Sequence, residues 1–290
     1  MFEGVYVAIP TPFKNGKVDE EALRRLINFL IEKGVDGIVP CGTTGESATL
    51  SYEEHEQVIA VAIEEAKGRA KVIAGTGSNS TAEAVMLTRF AYEAGADGAL
   101  LITPYYNKPN QEGLYRHFKT VAEAVPIPIV LYNVPSRTGV NMLPQTVARL
   151  AEIDNIVAVK EATGSTNVAT EIVNLCGDKM EVLSGDDLTF FPLLTVGGKG
   201  VISVTANVVP DRVVKMYKEF ENGNWEEAAK IHRELYPLSK VLFIDTNPIP
   251  VKTALSMMGM MEKEFRLPLC PTTPENEEKI RETLKSYGVI

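Results

Sequence analysis

Two short apolar runs decide the fold: IPIVLYN at Ile127–Asn133 and IVAVKEA at Ile156–Ala162. Runs of this length that are rich in Val and Ile and end at polar residues are typical of strands buried on both faces. Six similar runs occur at VYVAIP, GIVP, KVIAG, GALLIT, EVLSG and GVISVT, which begin at residues 5, 37, 71, 98, 181 and 200. The chain therefore contains eight candidate strands of a parallel sheet.

Amphipathic stretches separate these runs. A capping box is indicated by Ser51 and Glu54, a spacing that favours a helix start. The predicted helices in the first half are Asp19–Glu32, Ser51–Lys67, Thr81–Glu93 and Gln111–Ala124. A shorter helix, Leu188–Thr195, fits the brief interval between the last two strands. Eight strand–helix alternations predict a (β/α)8 TIM barrel. The alternative, an open doubly wound sheet, lacks the GxGxxG fingerprint that would support it.

The pattern changes after about residue 222. Three helices are predicted there, at Trp225–Phe243, Pro248–Met258 and Glu275–Tyr287, and no strand follows. The run Asn247-Pro248-Ile249-Pro250 breaks this region. We therefore expect a barrel domain at residues 1–222 and a C-terminal helical extension at residues 223–290.

Composition restricts the classes of partner. The chain has 290 residues and a net charge of −9, which argues against nucleic acid and against anionic membrane surfaces. No apolar stretch is long enough to span a bilayer, and the N-terminus lacks a signal-peptide pattern. Three scattered cysteines are typical of reduced thiols in a cytoplasmic protein. The three histidines show no metal-ligand spacing, so we expect no metal and no cofactor.

Lys160 is the sharpest candidate for chemistry. It follows the apolar run Ile156–Val159, and active sites of such barrels lie at the C-terminal ends of the strands. Burial would favour the neutral amine, which is the nucleophile that forms a Schiff base with a ketone. The alternative is a lysine whose amine reaches solvent at the strand end.

Two loops that follow strands carry further candidates. Backbone N–H groups of Gly42–Ser47 could hold a carboxylate, although a glycine-rich turn with capping threonines explains the same residues. Tyr132 ends a strand, and Arg137 lies on the loop beyond it. The guanidinium of Arg137 suits a substrate carboxylate, although a surface arginine in a Pro/Gly turn is the alternative. Asp186-Asp187 suggests a metal site but has no apparent third ligand.

Four motifs together resemble the dihydrodipicolinate synthase family of pyruvate aldolases. They are GTTGE at Gly42–Glu46, PYYNKP at Pro104–Pro109, YNVPSRTG at Tyr132–Gly139 and VKE at Val159–Glu161. The resemblance extends over the whole chain, including its helical tail. It implies condensation of pyruvate with L-aspartate 4-semialdehyde in diaminopimelate and lysine biosynthesis. Related 2-keto-3-deoxy sugar acid aldolases and N-acetylneuraminate lyases are the alternative, and a catalytically inactive binding protein is a third hypothesis.

The resemblance also implies a role for individual residues. Lys160 would form the Schiff base, and Tyr132, Thr44 and Tyr106 would relay protons, with Tyr106 supplied by a neighbouring subunit. The residues implied in substrate binding are Thr43 and Thr44 for the pyruvate carboxylate, Arg137 for the semialdehyde carboxylate, and Gly185 and Ile202 near the site. A homotetramer built from two dimers is expected, because the relay crosses an interface.

A feedback site for L-lysine is the last implication. The matching positions are Ser47, Ala48, Tyr52, His55, Asn79, Glu83 and Tyr105. Tyr52 departs from the histidine that is often found in lysine-sensitive members. The resemblance therefore predicts a lysine site but leaves the strength of inhibition open.

Overall fold

The computed structural model describes residues 1–290 and contains ten strands. They are β1 (Gly4–Ala8), β2 (Phe13–Lys14), β3 (Lys17–Val18), β4 (Gly37–Val39), β5 (Lys71–Gly75), β6 (Gly98–Ile102), β7 (Ile129–Asn133), β8 (Ile156–Glu161), β9 (Glu181–Ser184) and β10 (Gly200–Ser203). Eight of them form a closed parallel barrel in the order β1-β10-β9-β8-β7-β6-β5-β4. The predicted barrel and all eight of its strands are confirmed.

Twelve α-helices accompany the strands. They are α1 (Glu20–Glu32), α2 (Tyr52–Ala66), α3 (Thr81–Ala94), α4 (Gln111–Ala124), α5 (Pro135–Thr138), α6 (Pro144–Leu150), α7 (Thr166–Cys176), α8 (Phe190–Leu194), α9 (Pro210–Glu221), α10 (Trp225–Val241), α11 (Ile249–Met257) and α12 (Pro274–Tyr287). The last three form the predicted C-terminal helical extension; the domain boundary expected at residue 222 stays a prediction. None of the twelve combines the length and apolar character that a membrane span requires.

Local sequence explains where these helices begin. The Ser51 hydroxyl accepts from the backbone N–H of Glu54, whose side chain in turn accepts from the N–H of Ser51. This reciprocal pair satisfies two backbone donors at the start of α2, as the spacing predicted. Asp19 caps α1 in a similar way by accepting from the N–H of Ala22.

One compact unit consists of Met1–Gly4 and Val72–Ile202. Its core lies between the barrel strands β6 to β9 and the helices that follow them, and Phe118, Leu131 and Val159 are fully buried in it. Strands β7 and β8 pair in parallel, with Tyr132 opposite Lys160 and Asn133 opposite Glu161. Side chains alternate along a strand, so these two pairs point to opposite faces of the barrel wall.

The second unit consists of Val5–Lys71 and Ser203–Ile290. It holds the parallel pair of β1 and β4, and a short antiparallel ladder in which Phe13 pairs with Val18. That ladder was not predicted, because two-residue strands are too short to show a period. The C-terminal helices α10, α11 and α12 belong to this unit.

Candidate active site

Lys160 lies near the C-terminal end of β8 with only 6% of its surface exposed. Burial lowers the pKa of its amine from 10.5 to about 7; the Asp187 carboxylate opposes this shift and the Arg137 guanidinium adds to it. At pH 7 about half of the Lys160 amines are then neutral, compared with about one in three thousand for an unperturbed lysine. The site therefore supplies a nucleophilic amine at neutral pH.

Tyr132 is the register partner of Lys160 on the neighbouring strand. The Lys160 Nζ lies 4.3 Å from the centroid of the Tyr132 ring, and the tyrosine is 6% exposed. Cation–π attraction favours this approach whenever the amine is protonated. A hydroxyl that can donate or accept a proton therefore belongs to a residue in direct contact with the amine.

Gly185 leaves room for the Lys160 side chain. Its backbone N–H donates to Glu161 O at 2.8 Å, which continues the β8–β9 pairing past the end of β9. A Cβ at position 185 would lie 3.1 Å from Lys160 Cγ and 2.6 Å from Ala162 Cβ. Only glycine therefore allows the lysine its present path.

A second polar cluster lies on the opposite side of the same strands. The Asn133 amide donates to Glu161 Oε2 at 3.2 Å and to Asn141 Oδ1 at 2.9 Å, and its carbonyl accepts from Met142 N at 3.0 Å. Glu161 Oε1 accepts from Thr163 N at 2.6 Å, and burial raises the pKa of this carboxyl. We call Asn133, Glu161, Asn141 and Met142 the Asn133 cluster.

The Asn133 cluster brackets the segment that carries Arg137. Helix α5 begins at Pro135, two residues after Asn133. Its C-cap is Gly139, which adopts the left-handed conformation. The Thr138 hydroxyl also donates to Val140 O at 3.0 Å. Arg137 is exposed, while its backbone is held at both ends by buried hydrogen bonds.

The loop with Thr43 and Thr44 follows β4. Thr44 is buried and Thr43 is half-buried. Cys41 and Glu46 flank the pair, and both adopt a positive φ, at 55° and 51°. Non-glycine residues adopt this conformation only at a cost, so surrounding contacts must hold the loop.

One contact that holds this loop comes from the segment after β1. The Thr11 hydroxyl donates to Gly45 O at 2.7 Å.

Tyr106 presents an unusual conformation. Its φ is +73° and 88% of its surface is exposed. The turn around it is firm, because Asn79 Nδ2 donates to Tyr105 O at 3.2 Å and Asn107 Nδ2 donates to Asn79 O at 2.8 Å. A large aromatic ring is thus held out in solvent by an ordered turn.

The residues of the expected lysine site are divided between the two units. In one unit, Asn79 binds the Tyr105 carbonyl and Glu83 accepts from the Ser78 hydroxyl. In the other, His55 is buried, and its carbonyl accepts from Cys41 Sγ at 3.6 Å. Ser47 is half-buried, whereas Ala48 and Tyr52 are exposed.

The first unit brings together several of the predicted residues. Lys160 is the shared partner: it contacts the Tyr132 ring, packs against Gly185 and interacts electrostatically with Arg137. Ile202 is buried in β10 of the same unit. No group of three or more His, Cys, Asp or Glu side chains is arranged to hold a metal ion.

The sequence pattern does not predict the role of Asp187, since it suggests only a metal site at Asp186-Asp187. Asp187 is 8% exposed and acts electrostatically on Lys160, whereas Asp186 accepts from Leu188 N at 3.0 Å in the local turn. Its position just beyond the end of β9 was the available signal. The Asn133 cluster was missed as well, although Asn133 and Glu161 directly follow the two residues that were singled out.

Comparison with known proteins gives one family. The model of the dihydrodipicolinate synthetase family matches residues 1–287. A 4-hydroxy-tetrahydrodipicolinate synthase of Geotalea uraniireducens is 59% identical over 290 residues, which is the full length of both chains. A crystal structure of dihydrodipicolinate synthase from Aquifex aeolicus superposes with a TM-score of 0.98 at 56% identity and covers 99% of each chain.

Two further solved structures contain small molecules. The chloride-inhibited enzyme of Acinetobacter baumannii, complexed with pyruvate, is 47% identical with a TM-score of 0.98, and covers 100% of both chains. The enzyme of Cyanidioschyzon merolae with lysine bound is 41% identical with a TM-score of 0.97, and covers 100% of this chain and 99% of that one. Full-length matches of this quality, on a barrel that presents a buried lysine beside a tyrosine, place the chain in the dihydrodipicolinate synthetase family.

Proposed function

We propose that this chain is a lyase that condenses pyruvate with L-aspartate 4-semialdehyde to give 4-hydroxy-tetrahydrodipicolinate. The observation that carries the proposal is the buried Lys160 amine, with its pKa near 7, in contact with Tyr132. Full-length relatives that share more than half of their residues with the chain bear the name of this activity. They favour the synthase over a sugar acid aldolase or an N-acetylneuraminate lyase.

The first half of the reaction needs a neutral amine and a proton carrier. The Lys160 nitrogen attacks the keto carbon of pyruvate, water leaves, and a protonated imine remains. The imine withdraws electrons, so the pyruvate methyl group loses a proton and the adduct becomes an enamine. We assign the proton transfers to the Tyr132 phenol, with Thr44 and a Tyr106 from a neighbouring subunit completing the relay.

The second half forms the carbon–carbon bond. The enamine carbon attacks the aldehyde carbon of the semialdehyde, and the new alkoxide takes up a proton. The amino group of the former semialdehyde then attacks the imine carbon, which closes the ring and releases Lys160 as a free amine. Arg137 lies on a short helix within electrostatic reach of Lys160, and we propose that it binds the semialdehyde carboxylate.

Pyruvate orientation is assigned to the other loops. Thr43 and Thr44 would bind the pyruvate carboxylate, partly through backbone N–H groups. Gly185 and Ile202 would contribute backbone groups near the bound substrate. The pyruvate complex of the Acinetobacter baumannii enzyme supports a pyruvate site in a close relative.

Tyr106 supports a proposed assembly of several subunits. An aromatic ring that is 88% exposed on a firmly held turn suits delivery to another subunit. A shared relay requires at least a closed dimer, and we propose a tetramer of two such dimers. A place in amino-acid biosynthesis also leads us to propose a cytoplasmic location.

L-Lysine is proposed as a feedback inhibitor that binds Ser47, Ala48, His55, Asn79, Glu83 and Tyr105. The lysine-bound Cyanidioschyzon merolae structure supports such a site in a relative. The Glu83 carboxylate would pair with a ligand ammonium group. Saturating lysine should reduce the condensation rate, and Glu83→Ala should weaken that reduction; a rate that lysine leaves unchanged would remove the proposal.

The condensation assay tests the proposed function. The purified chain is supplied with pyruvate and either L-aspartate 4-semialdehyde or the aldehyde products of sugar acid cleavage. Turnover should require the semialdehyde and should be abolished by Lys160→Ala. Lys179→Ala is the matched control, because Lys179 is an exposed lysine that pairs only with Glu152. Preference for a sugar-derived aldehyde would instead assign the sister activity, and no turnover with any aldehyde would favour a binding protein.

A further inference from the structure

The Thr44 hydroxyl is contacted by a residue from the C-terminal extension. Asn247 Nδ2 donates to Thr44 Oγ1 at 3.1 Å across a sequence separation of 203 residues. Both side chains are buried, with 5% of Asn247 and 3% of Thr44 exposed. Asn247 lies two residues before helix α11, in the break that the sequence showed as Asn247–Pro250.

The direction of this hydrogen bond matters for a proton relay. A threonine hydroxyl has one hydrogen to donate and two lone pairs that accept. Because the Asn247 amide occupies a lone pair, the Thr44 hydrogen is directed elsewhere and stays available for donation. A side chain that only accepted at this position would take up that hydrogen instead.

The same region fixes the backbone that carries Thr44. Glu46 Oε1 accepts from Lys252 Nζ at 2.5 Å, and Glu46 Oε2 accepts from the backbone N–H of Arg266 at 3.1 Å. The Lys252 and Glu46 side chains are 0% and 1% exposed. These contacts hold Glu46 in its left-handed conformation. They therefore keep the loop that carries Thr44 next to Asn247.

We propose that Asn247 is a positioning residue that sets the direction of the Thr44 hydroxyl, and that the C-terminal extension thereby takes part in proton transfer. This inference rests on the proposed function, because the relay role of Thr44 belongs to it. Asn247 acts through Thr44 and needs no contact with either substrate.

The test compares two substitutions that alter the hydrogen bond in opposite ways. Asn247→Ala removes the donor, and Asn247→Asp keeps the shape but offers an acceptor. We expect the alanine variant to lose about tenfold in kcat with little change in the KM for pyruvate, since one buried hydrogen bond is removed. The aspartate variant should lose more at neutral pH, and its kcat relative to that of the wild type at the same pH should recover as the pH falls, because the introduced carboxyl group donates again once it is protonated. A purely structural role would not produce that recovery.

A double-mutant cycle keeps the test decisive if either variant is unstable. In a Thr44→Val background the loss caused by Asn247→Ala should disappear, because no hydroxyl is left to orient. An equal loss in both backgrounds, or an aspartate variant that never exceeds alanine at any pH, overturns the inference. If Thr44→Val itself retains full kcat, the proposed relay fails instead, which separates the two claims. Circular dichroism and urea unfolding, which do not depend on the relay, check that each variant is folded.

Discussion

The Lys160 nitrogen lies 4.3 Å from the centroid of the Tyr132 ring, and the two residues are register partners on strands β7 and β8. Backbone pairing therefore sets their distance, rather than flexible loops. Sites built on strands hold reacting groups more closely than sites built on loops. An imine formed at Lys160 consequently lies beside the Tyr132 phenol, which is proposed to transfer protons to and from it.

The pH dependence of imine formation should show the balance of charges around Lys160. With pyruvate alone, the trapping rate should rise with pH through about 7 and level off above it, as the amine becomes neutral. Asp187→Asn removes an influence that raises the pKa of Lys160, so this limb should move to lower pH. Arg137→Met removes an influence that lowers the pKa of Lys160, so the limb should move to higher pH.

The pH profiles of the two variants should therefore shift in opposite directions from that of the wild type. Pyruvate alone is used because Arg137 is also proposed to bind the second substrate. Limbs that stay together, or that move in the same direction, would contradict the assigned electrostatics.

Gly185→Ala should impair the enzyme without unfolding it. The added methyl group would meet Lys160 Cγ and Ala162 Cβ, so the lysine must shift. Because a displacement of a reacting group by about 1 Å can cost on the order of 10²-fold in rate, and the Lys160 contact requires a smaller shift, we expect kcat to fall about tenfold. Gly113→Ala, in the first turn of α4, is the matched control, because its added Cβ would lie 3.0 Å from Pro109 Cβ, a comparably close contact away from Lys160, and it should remain near full activity. Steady-state kinetics on both variants decides the matter, and an active Gly185→Ala enzyme would show that the close packing is unnecessary.

Asn133→Ala should loosen the segment that carries Arg137. The substitution removes the hydrogen bonds to Glu161, Asn141 and Met142, and we expect about 1–3 kcal/mol lower stability in urea unfolding. The KM for the semialdehyde should also rise, while the KM for pyruvate changes less.

Asn155→Ala provides the control for that comparison. Asn155 precedes β8 at the other end of the strand and donates to the carbonyls of Ala122, Val125 and Ile127. It should lose comparable stability with both KM values intact. A semialdehyde KM that rises equally in the two variants would refute a specific role for the Asn133 cluster.

The buried pair of Lys252 and Glu46 should show strong coupling. Burial lowers the pKa of Lys252, and the Glu46 carboxylate opposes this shift. Lys252→Met leaves the buried Glu46 carboxylate without its ammonium partner, which costs about 3–5 kcal/mol. The double variant Lys252→Met with Glu46→Gln should recover much of that loss in urea unfolding. Additive losses would mean that the pair is not coupled.

The periodic part of the fold could be predicted from the sequence. Eight Val- and Ile-rich runs, separated by amphipathic stretches in a single chain, favour a (β/α)8 barrel. Helix α4 begins and ends at the predicted residues Gln111 and Ala124. Lys160 and Tyr132 could be found because both stand at or near the ends of such runs. The two-stranded ladder at Phe13–Val18 could not be predicted, because its strands carry no period.

The rest of the site depends on contacts that a linear reading does not show. Asp186 and Asp187 are the same residue type at adjacent positions, and only the fold decides which one acts on Lys160. Asn247 contacts Thr44 across a separation of 203 residues. In the sequence it precedes a proline, a pattern that predicts only a break between helices. The sequence therefore indicates the proposed reacting groups more readily than the residues that position them.

Trapping of the covalent adduct tests the central claim most directly. The chain is incubated with pyruvate, reduced with borohydride and digested with a protease. The masses of the peptides are then measured by mass spectrometry. Lys160 should carry one reduced pyruvate, whereas Lys252, which is also buried but paired with Glu46, should carry none. An unmodified Lys160, or an adduct found on another lysine instead, would contradict the account.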